Sequence, residues 1–297
     1  MTLPGILIIG AMKCGSTTLY HDLCRSDQVF SAIDKETDRL IDDKVLTPSG
    51  LAEYEKLYAL AKPGQLCLDS STAYSKLSIH PGVAQRARLA LGDEAKIVYI
   101  VRDPIRRIES HFHHCITSGV WSDESINKSI DERPDLIDFS RYATQIEPWI
   151  ATFGNKNVRI VIFEHYMKNR QESCLELWRW LGVDGKASMI NEGVVFNSST
   201  KKPIMVGPFA KIAQTGPYRK LVRPLLNQDH RNRLRQLLLP KTKSKSPQLD
   251  PQIAERVRGL LVEEISTLSI LCKEIGLGHV DPAPIWGFAH STSEASA

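Results

Sequence analysis

Apolar residues along this chain fall into two alternating patterns. Short continuous runs occur at Gly5-Ile6-Leu7-Ile8-Ile9, Leu66-Cys67-Leu68, Ile97-Val98-Tyr99-Ile100-Val101 and Val158-Arg159-Ile160-Val161-Ile162-Phe163. Their length and β-branched content are those of strands buried in a parallel sheet. Between them, helical spacing predicts helices over 17–24, 50–61, 81–91, 105–117, 142–153 and 172–181. Such alternation predicts an α/β fold, a three-layer sandwich with a central parallel sheet and helices on both faces. Beyond about residue 190 the strand pattern fades. Asn197-Ser198-Ser199-Thr200-Lys201-Lys202-Pro203 reads as a polar loop, and helices are expected over 228–239 and 251–275, giving a helical C-terminal part from about residue 205. The second of these opens at Asp250-Pro251, a suitable cap and first-turn pair. The segment 241–247 has no apolar anchor and is expected to be mobile, as is the small, polar tail 290–297. No internal repeat is found, and one domain over 1–289 is expected.

Composition narrows this only a little. Of the 297 residues, 42% are apolar and 24% charged, ordinary for a globular protein with a full core. The net charge of +4 is too small to argue for nucleic acid. Its distribution is uneven: between Lys211 and Lys245 there are ten lysines or arginines and one acid, Asp229. That stretch suits either an anionic partner or a solvated basic face. No run has the length of a membrane span and no signal peptide is recognisable at Met1-Thr2-Leu3-Pro4-Gly5, so a cytoplasmic location is expected. The cysteines, Cys14, Cys24, Cys67, Cys115, Cys174 and Cys272, lack metal-ligand spacing and read as reduced thiols.

Chemistry enters directly after the first strand. Gly10-Ala11-Met12-Lys13-Cys14-Gly15-Ser16-Thr17-Thr18 has the glycines and hydroxyls of a phosphate loop and runs into a helix start. In the ATP-binding form G-x-x-x-x-G-K-[ST], lysine follows the second glycine. Here Ser16 holds that place and the lysine stands three residues upstream, at Lys13. The fold is thus P-loop-like without the usual nucleotide chemistry. Cys14 is either a reactive thiol or a small residue filling a tight turn. A second segment, Arg102-Asp103-Pro104-Ile105-Arg106-Arg107-Ile108-Glu109-Ser110, follows the 97–101 strand, at the sheet end where open α/β folds bind ligands. A guanidinium at the strand exit and a hydroxyl two helical turns on can grip one phosphate.

With these two segments together, the chain resembles the sulfotransferases that use 3′-phosphoadenosine-5′-phosphosulfate (PAPS) and release 3′-phosphoadenosine-5′-phosphate (PAP). The resemblance covers most of residues 5–200. It implies that Lys13, Cys14, Gly15, Ser16, Thr17 and Thr18 bind the 5′-phosphosulfate and that Arg102 and Ser110 bind the 3′-phosphate. Within the family the glycan-type branch, notably the sulfotransferase domain of heparan sulfate N-deacetylase/N-sulfotransferases, is the more similar. The order of Asp69-Ser70-Ser71-Thr72-Ala73-Tyr74, Tyr142-Ala143-Thr144-Gln145-Ile146-Glu147-Pro148-Trp149-Ile150 and Trp178-Arg179-Trp180-Leu181-Gly182-Val183 carries that likeness. It implies a catalytic base in the pair Lys35-Glu36, at Glu36, with His80 and His111 as the next candidates. Three departures stand out. The branch's disulfide-closed loop is absent, so Lys201 and Lys202 are expected to close over the nucleotide. Ser70 replaces a lysine of the branch, and its Golgi-type anchor is not expected here.

The implied reaction is in-line sulfuryl transfer, with Lys13 stabilising the leaving group and Glu36 taking the acceptor's proton. Lys35, Tyr74, His80, Tyr142, Gln145 and Trp149 are expected to face the acceptor, Trp149 being either a stacking platform or a core tryptophan. The acceptor is expected to be a small molecule or natural product, with a carbohydrate second; oxygen and nitrogen acceptors both remain open, as does the oligomeric state. No metal is implied. Two other classes stay in view: a kinase or ATPase with an altered loop, and a non-catalytic protein holding a polyanion through 211–245.

Overall fold

The computed structural model describes residues 2–32, 35–118, 120–121, 125–194, 247–278 and 280–288. Five parallel strands form its sheet: β1 (Ile6–Gly10), β2 (Val29–Ser31), β3 (Leu66–Ser70), β4 (Lys96–Val101) and β5 (Val158–Ile162), in the order β2-β3-β1-β4-β5. The central strands read as apolar runs because both sheet faces are covered; Ile6, Leu7, Ile8 and Ile9 are all fully buried. The short edge strand β2 escapes sequence reading. Its three residues are too few for a pattern, and two of them, Phe30 and Ser31, are half-exposed.

The helices follow the apolar spacing, with ends set by caps. They are α1 (Ser16–Leu23), α2 (Pro48–Lys56), α3 (Val83–Leu91), α4 (Pro104–Thr117), α5 (Ile126–Glu132), α6 (Asp135–Asp138), α7 (Tyr142–Phe153), α8 (Phe163–Lys168), α9 (Arg170–Leu181), α10 (Pro251–Ile275) and α11 (Pro282–Ile285). α2 starts earlier than the apolar spacing predicts because Thr47 accepts the Gly50 N–H at 3.1 Å and Pro48 suits the first turn. α3 starts later because Gly82 takes a left-handed conformation before it. Asp103 caps α4 through the Ile105 and Arg106 N–H groups, at 2.8 and 3.3 Å. α7 and α10 occupy the expected spans.

β1 is central, and the chain moves to β2 and β3 on one side of it and to β4 and β5 on the other. The carboxyl ends of β1, β3 and β4 therefore surround a topological switch point, where a crevice for ligands opens. The residues after those three strands are the three segments singled out by sequence. α1 is fixed behind the crevice by a buried bidentate pair, with Arg170 Nε and Nη2 donating to Asp22 at 2.6 and 2.7 Å and Tyr166 donating to the same carboxylate at 2.5 Å. Removing one partner of such a pair costs roughly 3–5 kcal/mol, because the other charge stays buried. One apolar cluster runs from Ile6 to Phe288. α10 packs against α4, α7 and β5, and Leu277 donates to the Ile160 carbonyl at 3.2 Å. The 197–203 loop with Lys201 and Lys202, the basic 211–245 stretch, the 228–239 helix and the 290–297 tail lie outside the described residues.

Candidate active site

The loop after β1 is held by its neighbours on both sides. Ala11 donates to the Ile100 carbonyl of β4 at 2.6 Å, while Ser71 and Ser75 donate to the Ile8 and Ile9 carbonyls, each at 3.1 Å. Lys13 adopts φ 70° and Gly15 φ 93°, so the chain doubles back before α1. At Gly15 a side chain is also sterically excluded, since a Cβ would lie 2.6 Å from the Phe163 ring. Gly15 is the N-cap of α1 and supplies no side chain to the cap, which leaves this end of the helix suited to an anion. The Lys13 charge reaches His111 and Cys115 on α4, where it opposes protonation of the one and favours ionisation of the other.

Arg102 leaves β4 beside this loop. Its guanidinium lies 4.9 Å from the Phe163 ring, and its Nε is buried without a hydrogen-bond partner among the described residues. A buried, unpaired guanidinium nitrogen is costly unless an acceptor reaches it. Ser110 sits half-buried on α4. Arg107, between them, is fully buried, and its hydrogen-bond partners among the described residues are neutral: Ser140 Oγ at 2.5 Å, the Leu136 carbonyl, and His111 Nδ1 at 3.5 Å. Burial lowers its pKa, yet a guanidinium keeps its proton, so a permanent positive charge stands close enough to act on Cys14. The sequence showed Arg107 inside the motif, but nothing there distinguished it from its exposed neighbour Arg106.

Glu36 stands at the exit of β3. Its backbone N–H donates to the Ser70 carbonyl at 3.0 Å, and its Oε2 accepts from the Thr72 N–H at 2.7 Å and the Thr72 hydroxyl at 3.0 Å. Lys35 pairs with Oε1. Glu36 and Asp38 both have positive φ, 65° and 53°, so this segment needs external support. Support comes from Asp69, a fully buried carboxylate that accepts from Tyr54 at 2.6 Å, from Thr37 and Tyr74 at 2.7 Å, and from Ser71 at 3.2 Å. Ser71 Oγ in turn accepts the Asp38 N–H at 3.0 Å. Burial pushes the Asp69 carboxyl up, against the pull of these donors. Asp38 has one buried oxygen with no hydrogen-bond partner among the described residues, and burial raises its pKa as well, with Glu36 and Asp69 adding to the shift. Lys76, half-buried with its ammonium 5.2 Å from the Phe139 ring, has its pKa lowered by burial against the attraction of Glu36 and Asp38. Neither Asp38 nor Lys76 carries a sequence signal, because the elements that gather them are far apart in the chain.

Several residues expected at the site are placed otherwise. Cys14 points inward, its thiol 3.7 Å from the Tyr142 hydroxyl and pushed by burial up to about 11, and its N–H is spent on the Ala11 carbonyl; the tight-turn reading describes it, not the reactive one. Tyr74 is buried with its hydroxyl given to Asp69. Gln145 accepts from the Leu77 N–H at 2.8 Å and donates to the Asp138 carbonyl at 3.1 Å, Tyr142 donates to the Arg102 carbonyl at 2.7 Å, and Trp149 stacks on Phe153 in the core. These four buried side chains have no open face for an acceptor, so the expected α7 wall is packing. Helical spacing alone could not separate a wall from a core face. His80 is half-buried, its pKa lowered by burial and then by Lys76 and Arg86. His111 lies between Phe139 and Trp121, each ring centroid 5.6 Å away. Burial, with Arg107 and Lys76 adding, holds its pKa down at about 2. Its Nδ1 faces an arginine donor and its Nε2 faces Asp135 at 3.8 Å, an arrangement for holding a proton on Nε2 rather than taking one from an acceptor.

No group of three or more histidine, cysteine or acidic side chains among the described residues has the geometry of a metal site, and no helix among them is long and apolar enough to cross a membrane. All six cysteines are free. A search among curated protein sequences gives no match. Among solved structures, the chain is similar to a sulfotransferase from Alicyclobacillus acidocaldarius, at 17% identity over 91% of this chain and 96% of that one, with a TM-score of 0.62. It is also similar to the sulfotransferase domain from the curacin biosynthetic pathway, at 16% identity over 88% and 98% of the two chains, with a TM-score of 0.52. At such identities the likeness establishes the shared fold. The family model for the sulfotransferase domain matches residues 3–256, most of the chain, and the protein therefore belongs to the sulfotransferase domain family.

Proposed function

We propose that the protein transfers a sulfuryl group from PAPS to a hydroxyl or amine of a small-molecule acceptor. The observation that carries this reading is Arg102: at the exit of β4, beside the glycine loop, it buries a guanidinium nitrogen that has no hydrogen-bond partner among the described residues. An anion held there and a second at the start of α1 match a nucleotide with phosphate groups at both its 3′ and 5′ positions. The residues fit such a ligand: Gly15, Ser16, Thr17 and Thr18 supply the start of a helix and hydroxyls to the 5′ side, and Arg102 with Ser110 supplies the 3′ side. When bound, PAPS supplies a sulfuryl group activated by a phosphate leaving group.

The chain's own part is positioning and charge. Lys13 places a positive charge where negative charge grows on the leaving oxygen, and the buried Arg107 raises the positive potential behind it. Glu36, held by Thr72, accepts the acceptor's proton, and Lys35 orients its carboxylate. No step calls for a metal.

Calorimetry on the wild-type protein tests the cofactor. PAP is expected to bind at least about tenfold more tightly than adenosine 5′-phosphate, the difference being the Arg102 grip on the 3′-phosphate. EDTA should leave sulfuryl transfer from labelled PAPS unchanged. Binding of ATP–Mg²⁺ with no binding of PAP would overturn the reading.

A further inference from the structure

The peptide group joining Arg102 to Asp103 is pinned at both ends. Its carbonyl accepts from the Tyr142 hydroxyl at 2.7 Å, and its N–H donates to Glu164 Oε1 at 3.1 Å. Both props lean on Trp286, just beyond α11. The indole N–H donates to the other oxygen of Glu164 at 2.9 Å, and the indole ring packs 6.0 Å from the Tyr142 ring. Trp286 is buried, and Arg258 of α10 donates to its carbonyl while its other terminal nitrogen lies 3.9 Å from Asp103. Phe163, next to Glu164, carries the Arg102 guanidinium on one side and fills the space left by Gly15 on the other.

A peptide held at both its donor and its acceptor cannot rotate about its flanking bonds without breaking a bond to a buried side chain. Arg102 hangs from that peptide, and Asp103, the α4 cap, starts on it. The direction in which the guanidinium leaves β4 is thereby set from the C-terminal end of the chain. Residues 257–288 lie outside the region matched by the family model, so the match assigns nothing to this segment.

We infer that Trp286 is a positioning residue for the nucleotide site: through Glu164 and Tyr142 it aims Arg102 at the 3′-phosphate, making the C-terminal segment part of cofactor selection. This rests on the reading of Arg102 as the 3′-phosphate ligand, so the test uses two ligands that differ only in that group. The affinities of PAP and adenosine 5′-phosphate are measured by calorimetry for the wild type and Trp286→Phe. The phenylalanine keeps a ring against Tyr142 and removes the indole donor. PAP affinity is expected to fall about fivefold to twentyfold, the equivalent of part of one charge-assisted hydrogen bond. Adenosine 5′-phosphate affinity should stay within about twofold, so the ratio between the ligands collapses. A merely structural tryptophan would lower the melting temperature and leave that ratio intact, and this result overturns the inference. If Trp286→Phe does not fold, Glu164→Gln carries the same test, because an amide cannot accept from both Asp103 and Trp286. A wild type that does not distinguish the two ligands overturns the Arg102 assignment and the inference with it. One that distinguishes them, with both variants unchanged, overturns the inference alone.

Discussion

The two halves of the crevice are built by different means. On the donor side, backbone groups and buried side chains do the fixing: the loop after β1 is bonded to β4, the end of β1 accepts from the segment that follows β3, α1 is locked by Asp22 and Arg170, and the Arg102–Asp103 peptide is pinned at each end. On the acceptor side, the segment carrying Glu36 has two non-glycine residues at positive φ and, apart from the Glu36 N–H on the Ser70 carbonyl, hangs on side-chain hydrogen bonds to Thr72 and Asp69. The Glu36 side chain is 39% exposed, whereas Arg107 behind the donor loop is fully buried. A rigid donor half facing a tethered acceptor half allows the acceptor surface to change without disturbing the nucleotide site. Such a division should show in how variants partition between binding and turnover.

The largest separation is expected between Lys13→Ala and Glu36→Gln. Lys13→Ala removes a charge aimed at the leaving group and should depress turnover by about 10³–10⁵-fold, in the range of other cations that stabilise group-transfer transition states. Glu36→Gln removes a general base and should depress turnover by about 10²–10⁴-fold, with PAP affinity unchanged. Single-turnover rates and PAP affinity for each variant check the pair. Near-normal turnover in Lys13→Ala would sink the donor-side assignment. In Glu36→Gln it would shift attention to Asp38, whose Oδ1 has no hydrogen-bond partner among the described residues.

A smaller effect is expected from Asp69→Asn, which sharpens the contrast because Asp69 faces no cofactor group in this reading. The carboxylate gathers four hydroxyl donors, and an amide has only one acceptor oxygen to offer them. Thr37 and Ser71 would lose part of their hold on the segment 36–38. Turnover should fall about tenfold, with PAP affinity unchanged, since a displaced base loses alignment rather than chemistry. An equal loss of PAP affinity would show that the two halves are not independent.

How much of this the sequence revealed follows the same division. The donor side was legible because its parts are contiguous: glycines, lysine and hydroxyls follow one apolar strand, and Arg102 follows another. A backbone-built site leaves a spacing signature. Glu36 was reached only through family likeness, since an isolated Lys-Glu pair has no spacing to read. Asp69 was met only as part of the 69–74 likeness and given no role, and Asp38 and Lys76 were not reached, because what distinguishes all three is burial and mutual proximity, which arise from packing after the chain has folded. Tyr142, Gln145 and Trp149 were read onto the acceptor face when the same helical period serves a core face equally well. The sheet was legible except for β2, whose three residues are too few to show a pattern.

The smallest effect at neutral pH is expected from His111→Phe, on the α4 wall shared by the two halves. Phenylalanine keeps the stack between Phe139 and Trp121 and loses an acceptor 3.5 Å from Arg107, worth about 1 kcal/mol or less. The variant separates from the wild type only as acid is added. In the folded protein the imidazole pKa is held at about 2, against the usual 6.5, chiefly by burial and then by Arg107, Lys76, His114 and Lys13. Between those values the unfolded chain binds a proton that the folded one refuses. Stability from this group is therefore complete above pH 6.5 and falls as pH drops, by up to about 1.4 kcal/mol per pH unit. Removing the imidazole should flatten that limb, which melting temperatures between pH 7 and pH 4 would register as a shallower decline (roughly one proton's slope). Parallel declines in the two proteins would mean that the His111 imidazole takes up its proton in the folded state, and the desolvated wall facing Lys13 would have to be redrawn as one that water reaches.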